Sequence, residues 1–190
     1  MKVLAISGSA RKDGNTAAAV RQVFTSLETE GIETELIQLS GKKIHGCIAC
    51  YKCFENKDKQ CAVKDDVNAC IQKMIEADGI ILASPTYFAD VTSEIKALMD
   101  RAGMVSRANG DMFRRKVGAA VAVARRGGCI HTFDSLNHFF FITQMIVPGS
   151  SYWNLAFARD IGEFEKDVEG AATMKVLGEN MAWLLKQIHR

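Results

Sequence analysis

The sequence predicts an α/β protein: a doubly wound, five-stranded parallel sheet sandwiched between helices in three α/β/α layers. Short apolar runs alternate with segments of helical periodicity along the whole chain. Five such runs can be found, enough for a doubly wound sheet, and 190 residues suit one domain, 1–190, with one core. The candidate strands are residues 2–7, 33–39, 79–84 and 117–124, with a last one near 145–147 that resumes through 152–157. Between them, Val20, Val23, Phe24 and Leu27, then Val67, Cys70, Ile71 and Met74, then Ile95, Leu98, Met99 and Ala102 recur at the spacing that places each set on one helical face. A fourth helix is expected over 131–144. A fifth is expected from about 168 to the C-terminus, with Met174, Leu177, Met181, Leu184 and Ile188 inward. Asn15-Thr16, Asp65-Asp66 and Asp90 with Thr92 are positioned to cap helix starts. One connection, about residues 40–64, is too long for a turn and contains four of the six cysteines; insertions of that size are usually functional.

Composition excludes several classes. At 48% hydrophobic and 24% charged the chain is neither disordered nor a collagen-like or disulfide scaffold. A formal charge of +2 gives no general affinity for nucleic acid or anionic lipid, so any anion site must be local. The apolar runs 117–124 and 139–142 are far shorter than the ~20 residues of a membrane-spanning helix. The N-terminal apolar run is too short for a secretory leader and reads as a strand. The expected location is the cytoplasm, where six cysteines stay reduced and become candidates for metal, cluster or catalysis.

The first strand runs into Ser7-Gly8-Ser9-Ala10-Arg11-Lys12-Asp13-Gly14-Asn15-Thr16, followed at once by a helix. Such a loop gathers backbone N–H donors, hydroxyls and the positive end of a helix dipole at one point, with Arg11 adding a fixed charge; the combination suits phosphate. The spacing is not that of a nucleoside-triphosphate P-loop, nor of the dinucleotide motif, and the second strand ends in Gln38-Leu39-Ser40 without a ribose-binding acid. A phosphoacceptor domain needs carboxylates after strands one and three, where this chain has Ser7 and Ser84. A terminal monophosphate such as that of FMN remains.

Together with Ser84-Pro85-Thr86-Tyr87-Phe88 and the stretch from Thr92 to Arg101, that loop resembles the NADPH-dependent FMN reductase and iron–sulfur flavoprotein branch of the flavodoxin-like superfamily, and the resemblance extends over nearly the whole chain. It implies that Ser9, Arg11, Gly14, Asn15 and Thr16 hold the FMN phosphate. Pro85, Thr86, Tyr87 and Phe88 would lie along the isoalloxazine ring, and the loop holding Arg125, Arg126, Gly127 and Gly128 near its pyrimidine side. The residues themselves agree: Pro85 fixes a turn at the carboxyl end of an apolar strand, Tyr87 and Phe88 offer a flat wall, and Gly127-Gly128 permits close backbone approach. Either arginine could offset the negative charge of reduced flavin.

Cys47, Cys50, Cys53 and Cys61 follow C-x2-C-x2-C-x7-C. Thiolates this dense can hold a 4Fe-4S cluster, with three sulfurs on one face and the fourth from the returning chain, as a compact motif does in the resembled flavoproteins. Zinc, a redox C-x2-C pair and free thiols are the competing readings. Cys70 and Cys129 read as buried, and His45, His131, His138 and His189 share no metal spacing.

The expected activity is therefore that of an FMN-dependent oxidoreductase. It would take hydride from NAD(P)H and reduce a quinone, a free flavin or another small acceptor, with the cofactor rather than a side-chain triad carrying the reaction. The alternative is an iron–sulfur flavoprotein passing electrons between a 4Fe-4S cluster, FMN and a ferredoxin-like partner; a flavin-free binding module is a third. The resemblance also implies a homodimer or homotetramer, for which the aromatic segment 133–141 and Tyr152-Trp153 are candidate contacts.

Overall fold

A computed structural model describes residues 1–189, and in it the strands β1 (Lys2–Ser7), β2 (Glu33–Gln38), β3 (Gly79–Pro85), β4 (Val117–Ala124) and β5 (Leu155–Phe157) form one sheet in the order β2-β1-β3-β4-β5. All pairings are parallel, with Ala5 opposite Leu36 on one side and Ile81 on the other. β4 is buried along its whole length and β3 up to Pro85, as strands covered on both faces must be. This is the flavodoxin-like strand order, and it reverses direction between β1 and β3, which opens a crevice at their carboxyl ends.

Alternation along the strands feeds two cores. Val3, Ala5, Ile81, Ala119 and Val121 face α1 (Asn15–Thr29) and α6 (Val168–Ile188), where Val20, Val23 and Leu27 meet Met174, Leu177 and Met181. Leu4, Ile6, Ile80, Leu82 and Ala120 face α3 (Val67–Glu76), α4 (Ser93–Ala108) and α5 (Cys129–Ile142) through Ile71, Met74, Leu98, Ala102, Leu136 and Phe140. Helices α1 and α6 meet tightly at Gly178, where a Cβ would lie 2.5 Å from the Val23 carbonyl oxygen.

The structure departs from the sequence expectations in a few places. Residues 145–147 make only an isolated bridge, Val117 to Ile146; Pro148 cannot donate to a ladder, and pairing resumes at Leu155 after the Asn154 amide has bonded the Ala120 carbonyl at 2.9 Å. The anticipated caps are used differently. Gly14 occupies the N-cap of α1, and the Thr92 hydroxyl donates to the Gly8 carbonyl (2.8 Å) instead of capping α4. Asp65 rather than Asp66 accepts from the Val67 N–H, at 3.1 Å. The last helix ends at Ile188, and Arg190 lies outside the described residues.

The long connection after β2 holds a short helix, α2 (Lys52–Asn56), and is fastened to α4 by a buried ion pair. Arg101, 1% exposed, points from α4 into the loop; its Nη1 donates to Asp65 Oδ2 (2.6 Å) and to the His45 carbonyl (2.9 Å), and its Nη2 to the Val63 carbonyl (2.9 Å). Burial pushes the Asp65 carboxyl up, but the Arg101 guanidinium and the His45 and Val67 N–H groups outweigh it and hold the group below the usual aspartate range.

Two outcomes follow. Gly178→Ala should lower unfolding stability by about 2 kcal/mol in a denaturant titration, because backbone cannot yield to the new methyl. Asp65→Asn should cost about 3 kcal/mol near neutral pH by stranding the Arg101 charge. A depressed carboxyl contributes fully above its unfolded pKa and loses that contribution as pH falls through the folded value, so the gap between wild type and variant should close in acid.

Candidate functional site

At the carboxyl edge of the sheet, where β1 and β3 diverge, lies a cleft of about 290 Å³. The β1–α1 loop contributes Ser9, Arg11, Asn15 and Thr16; the end of β3 contributes Pro85, Thr86 and Tyr87; Val123 and Arg125 come from β4 and its exit, and Ala158 and Arg159 follow β5. Three arginines and no carboxylate line this cleft, so its local charge is positive on a chain that is nearly neutral overall.

The loop's shape is set by its own side chains. The Ser9 hydroxyl accepts from the Arg11 N–H and donates to the Arg11 carbonyl, both at 3.1 Å, and the Asp13 N–H donates to Gln38 Oε1 at 2.8 Å. Gly8 has no alternative, since a Cβ there would sit 2.6 Å from Thr92 Oγ1. Gly14 then delivers α1 with first-turn residues Asn15 and Thr16 at the cleft, so N–H groups without intrahelical partners and the positive dipole end meet it. Thr16 is 2% exposed, and among the described residues its hydroxyl makes no hydrogen bond.

Asn15 has another task. Its Nδ2 donates to the Asp160 carbonyl (2.8 Å), and its Oδ1 accepts from the Gly162 (3.1 Å) and Phe164 (3.2 Å) N–H groups, tying the segment after β5 over the start of α1. Arg11 adds a second tie, Nη1 to the Arg159 carbonyl at 2.8 Å. Ala158 and Arg159 thereby join the site; nothing in their sequence spacing marked them.

On the opposite rim Tyr87 to Asp90 form a tight hairpin, with Tyr87 N–H to Asp90 carbonyl at 2.8 Å and the reverse bond at 3.0 Å. Its two central residues, Phe88 (φ 48) and Ala89 (φ 63), take left-handed conformations that such turns normally give to Asn or Gly. Asp90 Oδ1 accepts from Ser135 Oγ (2.7 Å), which anchors the strained turn to α5, and Phe88 projects fully into solvent. Gly128 (φ 81) caps α5, where a Cβ would be 3.0 Å from that of Ala89, while a Cβ on Gly127 would face open space. Arg125 lines the cleft; Arg126 is exposed beyond it. The arrangement fits FMN. Its anionic end matches the arginine-lined loop, and its flat ring matches the open surface of Tyr87, Phe88 and Gly127.

The cysteines form a second centre. Cys47, Cys50, Cys53 and Cys61 all line one small apolar pocket of about 20 Å³ with Val63, Met104 and Val105, and Arg101 Nε donates to Cys61 Sγ at 3.2 Å. Burial pushes the Cys53 thiol up. All six cysteines are free, and Cys70 and Cys129 are buried elsewhere. Among the described residues no three His, Cys, Asp or Glu side chains converge as ligands of a single ion, which zinc with its Zn–S distance of about 2.3 Å would require. What the pocket offers is a donor set, four thiols in an apolar surrounding, and that is the ligand chemistry of a 4Fe-4S cluster. The backbone here is also strained, with Ala49 (φ 51) and Tyr51 (φ 55) left-handed on either side of Cys50. An apolar groove of about 670 Å³ runs from Cys47, Ala49 and Tyr51 between α4 and α5 to Ser135, the residue bonded to the hairpin.

Comparison with known proteins agrees with this geometry. The NADPH-dependent FMN reductase family model matches residues 1–160. Iron-sulfur flavoprotein MJ1083 of Methanocaldococcus jannaschii is 41% identical over 197 residues, covering 100% of both chains. Among solved structures, RosB with a bound 8-demethyl-8-formylriboflavin-5′-phosphate intermediate superposes with a TM-score of 0.79 at 18% identity, covering 100% of this chain and 80% of that one. A flavodoxin from the domain Archaea gives 0.64 at 18%, covering 98% and 99%. An arginine-lined cleft at the switch point of a flavodoxin-like sheet and a family match spanning that cleft lead to one assignment: the chain belongs to the NADPH-dependent FMN reductase family, a flavoprotein family whose flavin is FMN.

Proposed function

We propose that the chain is an iron–sulfur flavoprotein, an oxidoreductase that exchanges electrons between a 4Fe-4S cluster, FMN and a ferredoxin-like protein partner. The observation that carries this reading is that Cys47, Cys50, Cys53 and Cys61, the four cysteines of the long connection after β2, all line one pocket. The name of the full-length relative supports it. Bound FMN supplies hydride or one-electron transfer, and a cluster supplies one-electron transfer.

The chain's own residues bind, orient and tune. Arg11, Ser9, Gly14, Thr16 and the first turn of α1 hold the phosphate; the Asn15 side chain keeps the segment after β5 in place, leaving its backbone N–H for the ligand. Pro85, Thr86, Tyr87 and Phe88 face the ring, Gly127 and Gly128 let the backbone approach it, and Arg125, more than Arg126, is placed to offset charge on the reduced ring. No side chain is assigned as a general acid or base. Asp90, the carboxylate of the hairpin, is held ionised first by the Ser135 hydroxyl and then by the Val91 N–H.

The second reading, NAD(P)H-driven reduction of a quinone, flavin or other small acceptor, uses the same FMN site and is favoured by the family match and by the open space beside Gly127. Steady reduction by NADPH without any protein donor supports it; reduction only by a reduced ferredoxin supports the first. No helix of the described residues is long and apolar enough to cross a membrane, and we place the reduced thiols in the cytoplasm. The half-exposed Phe133 and the exposed Phe141, Tyr152 and Trp153 share one groove, where we place a homodimer or homotetramer contact.

Thr16→Val and Arg11→Ala should each weaken FMN binding about tenfold or more in a flavin-fluorescence titration, with thermal unfolding of the flavin-free protein little changed. Cys50→Ser should abolish iron and sulfide uptake during anaerobic reconstitution while leaving FMN stoichiometry intact; iron uptake unchanged by that substitution contradicts the cluster reading.

A further inference from the structure

We infer that Arg101 is a positioning residue for the cluster, one that both places Cys61 as the fourth ligand and raises the cluster's reduction potential. The inference rests on the cluster reading above and adds to it a residue outside the cysteine motif.

The first three cysteines are brought together by their own short spacers. Cys61 is not: seven residues separate it from Cys53, and spacing alone leaves its position open. Two side chains settle it. Asn68 on α3 brackets the Cys61 backbone, accepting from its N–H at 2.8 Å and donating to its carbonyl at 2.9 Å. Arg101 on α4 holds the sulfur itself, Nε to Sγ at 3.2 Å. The remaining faces of the guanidinium are occupied by Asp65, the His45 carbonyl and the Val63 carbonyl, so the fork cannot swing away from Cys61.

A packing role alone does not require a cation here. Met99, Ala102 and Val105 show what α4 otherwise buries, and a buried guanidinium is costly unless paired. Its 1% exposure leaves its field largely unscreened at the sulfur it touches. A thiolate-ligated cluster gains one negative charge on one-electron reduction, and hydrogen bonds to ligand sulfur with a nearby positive charge favour that reduced form. Asp65 opposes the effect by partly neutralising the same guanidinium. Removing Arg101 and removing Asp65 therefore act on the potential in opposite directions, although both break the same ion pair and both weaken the fold.

The test compares wild type with Arg101→Gln, Arg101→Lys and Asp65→Asn after anaerobic reconstitution. Each is followed by EPR-monitored redox titration of the cluster, cluster loss to a chelator, and the rate of Cys61 alkylation in the iron-free protein; FMN content and thermal unfolding report folding. R101Q should shift the midpoint potential downward, speed cluster loss at least tenfold and expose Cys61 to faster alkylation, with R101K recovering part of the potential. D65N should move the potential upward while losing comparable thermal stability. A downward shift in D65N matching R101Q, or a wild-type potential and alkylation rate in R101Q, overturns the inference and leaves the cluster reading standing. Failure of wild type to take up iron and sulfide overturns both.

Discussion

Everything functional in this protein depends on where the positive end of α1 is delivered. A parallel sheet whose order reverses between β1 and β3 leaves a gap at its carboxyl edge, and α1 starts in that gap because Gly8 and Gly14 let the loop turn without side-chain obstruction. Arg11, Arg125 and Arg159 then surround a site with no compensating carboxylate. An isolated cluster of three cations would repel itself; a dianionic phosphoryl group relieves that repulsion and pairs the unpaired N–H groups of the first turn. The same site that needs an anion is held in shape by Asn15, whose amide bonds the backbone at residues 160, 162 and 164.

The cysteine loop depends on a separate constraint. It is largely exposed and strained at Ala49 and Tyr51, and only Ile44, Cys53 and Cys61 of it pack against the apolar core. Its attachment is polar: the Arg101–Asp65 pair, the Asn68 bracket around Cys61, and the bonds from the Lys43 and His45 N–H groups to Asp66 and Asp65. A loop held by hydrogen bonds to α3 and α4 can place its four thiols around one pocket while leaving Cys47 and Cys50 at the surface. The apolar groove beside them, between α4 and α5, is also lined by Ser135, which bonds Asp90 of the hairpin on the rim of the flavin cleft.

The strands and long helices were legible because burial on both faces imposes continuous apolar runs and helix packing imposes a 3.6-residue period; β1 and β4 fall on the residues the pattern marks. The edge strand was harder to place, since one bridge at Ile146 and three paired residues at 155–157 carry little hydrophobic signal and Pro148 divides them. The anion loop was legible as composition, though not in detail. Asn15 carries the residue type of a ligand and serves as a brace, and Arg159 arrives from 148 residues away, a proximity that local pattern cannot encode. Helix α2 was hidden in the cysteine spacing. Arg101 did leave a signal, a charge at the i+3 position from Leu98 on an otherwise apolar face; such a residue must find buried partners, and it found the cysteine loop.

The central claim is that the cleft grips flavin by its phosphoryl end. Calorimetric titration of the flavin-free protein with FMN and with riboflavin, which differ only in that group, tests it most directly. The account predicts saturable FMN binding at least a hundredfold tighter than riboflavin, with the difference shrinking as inorganic phosphate is added. Equal affinities for the two flavins, or no FMN binding at all, would contradict it.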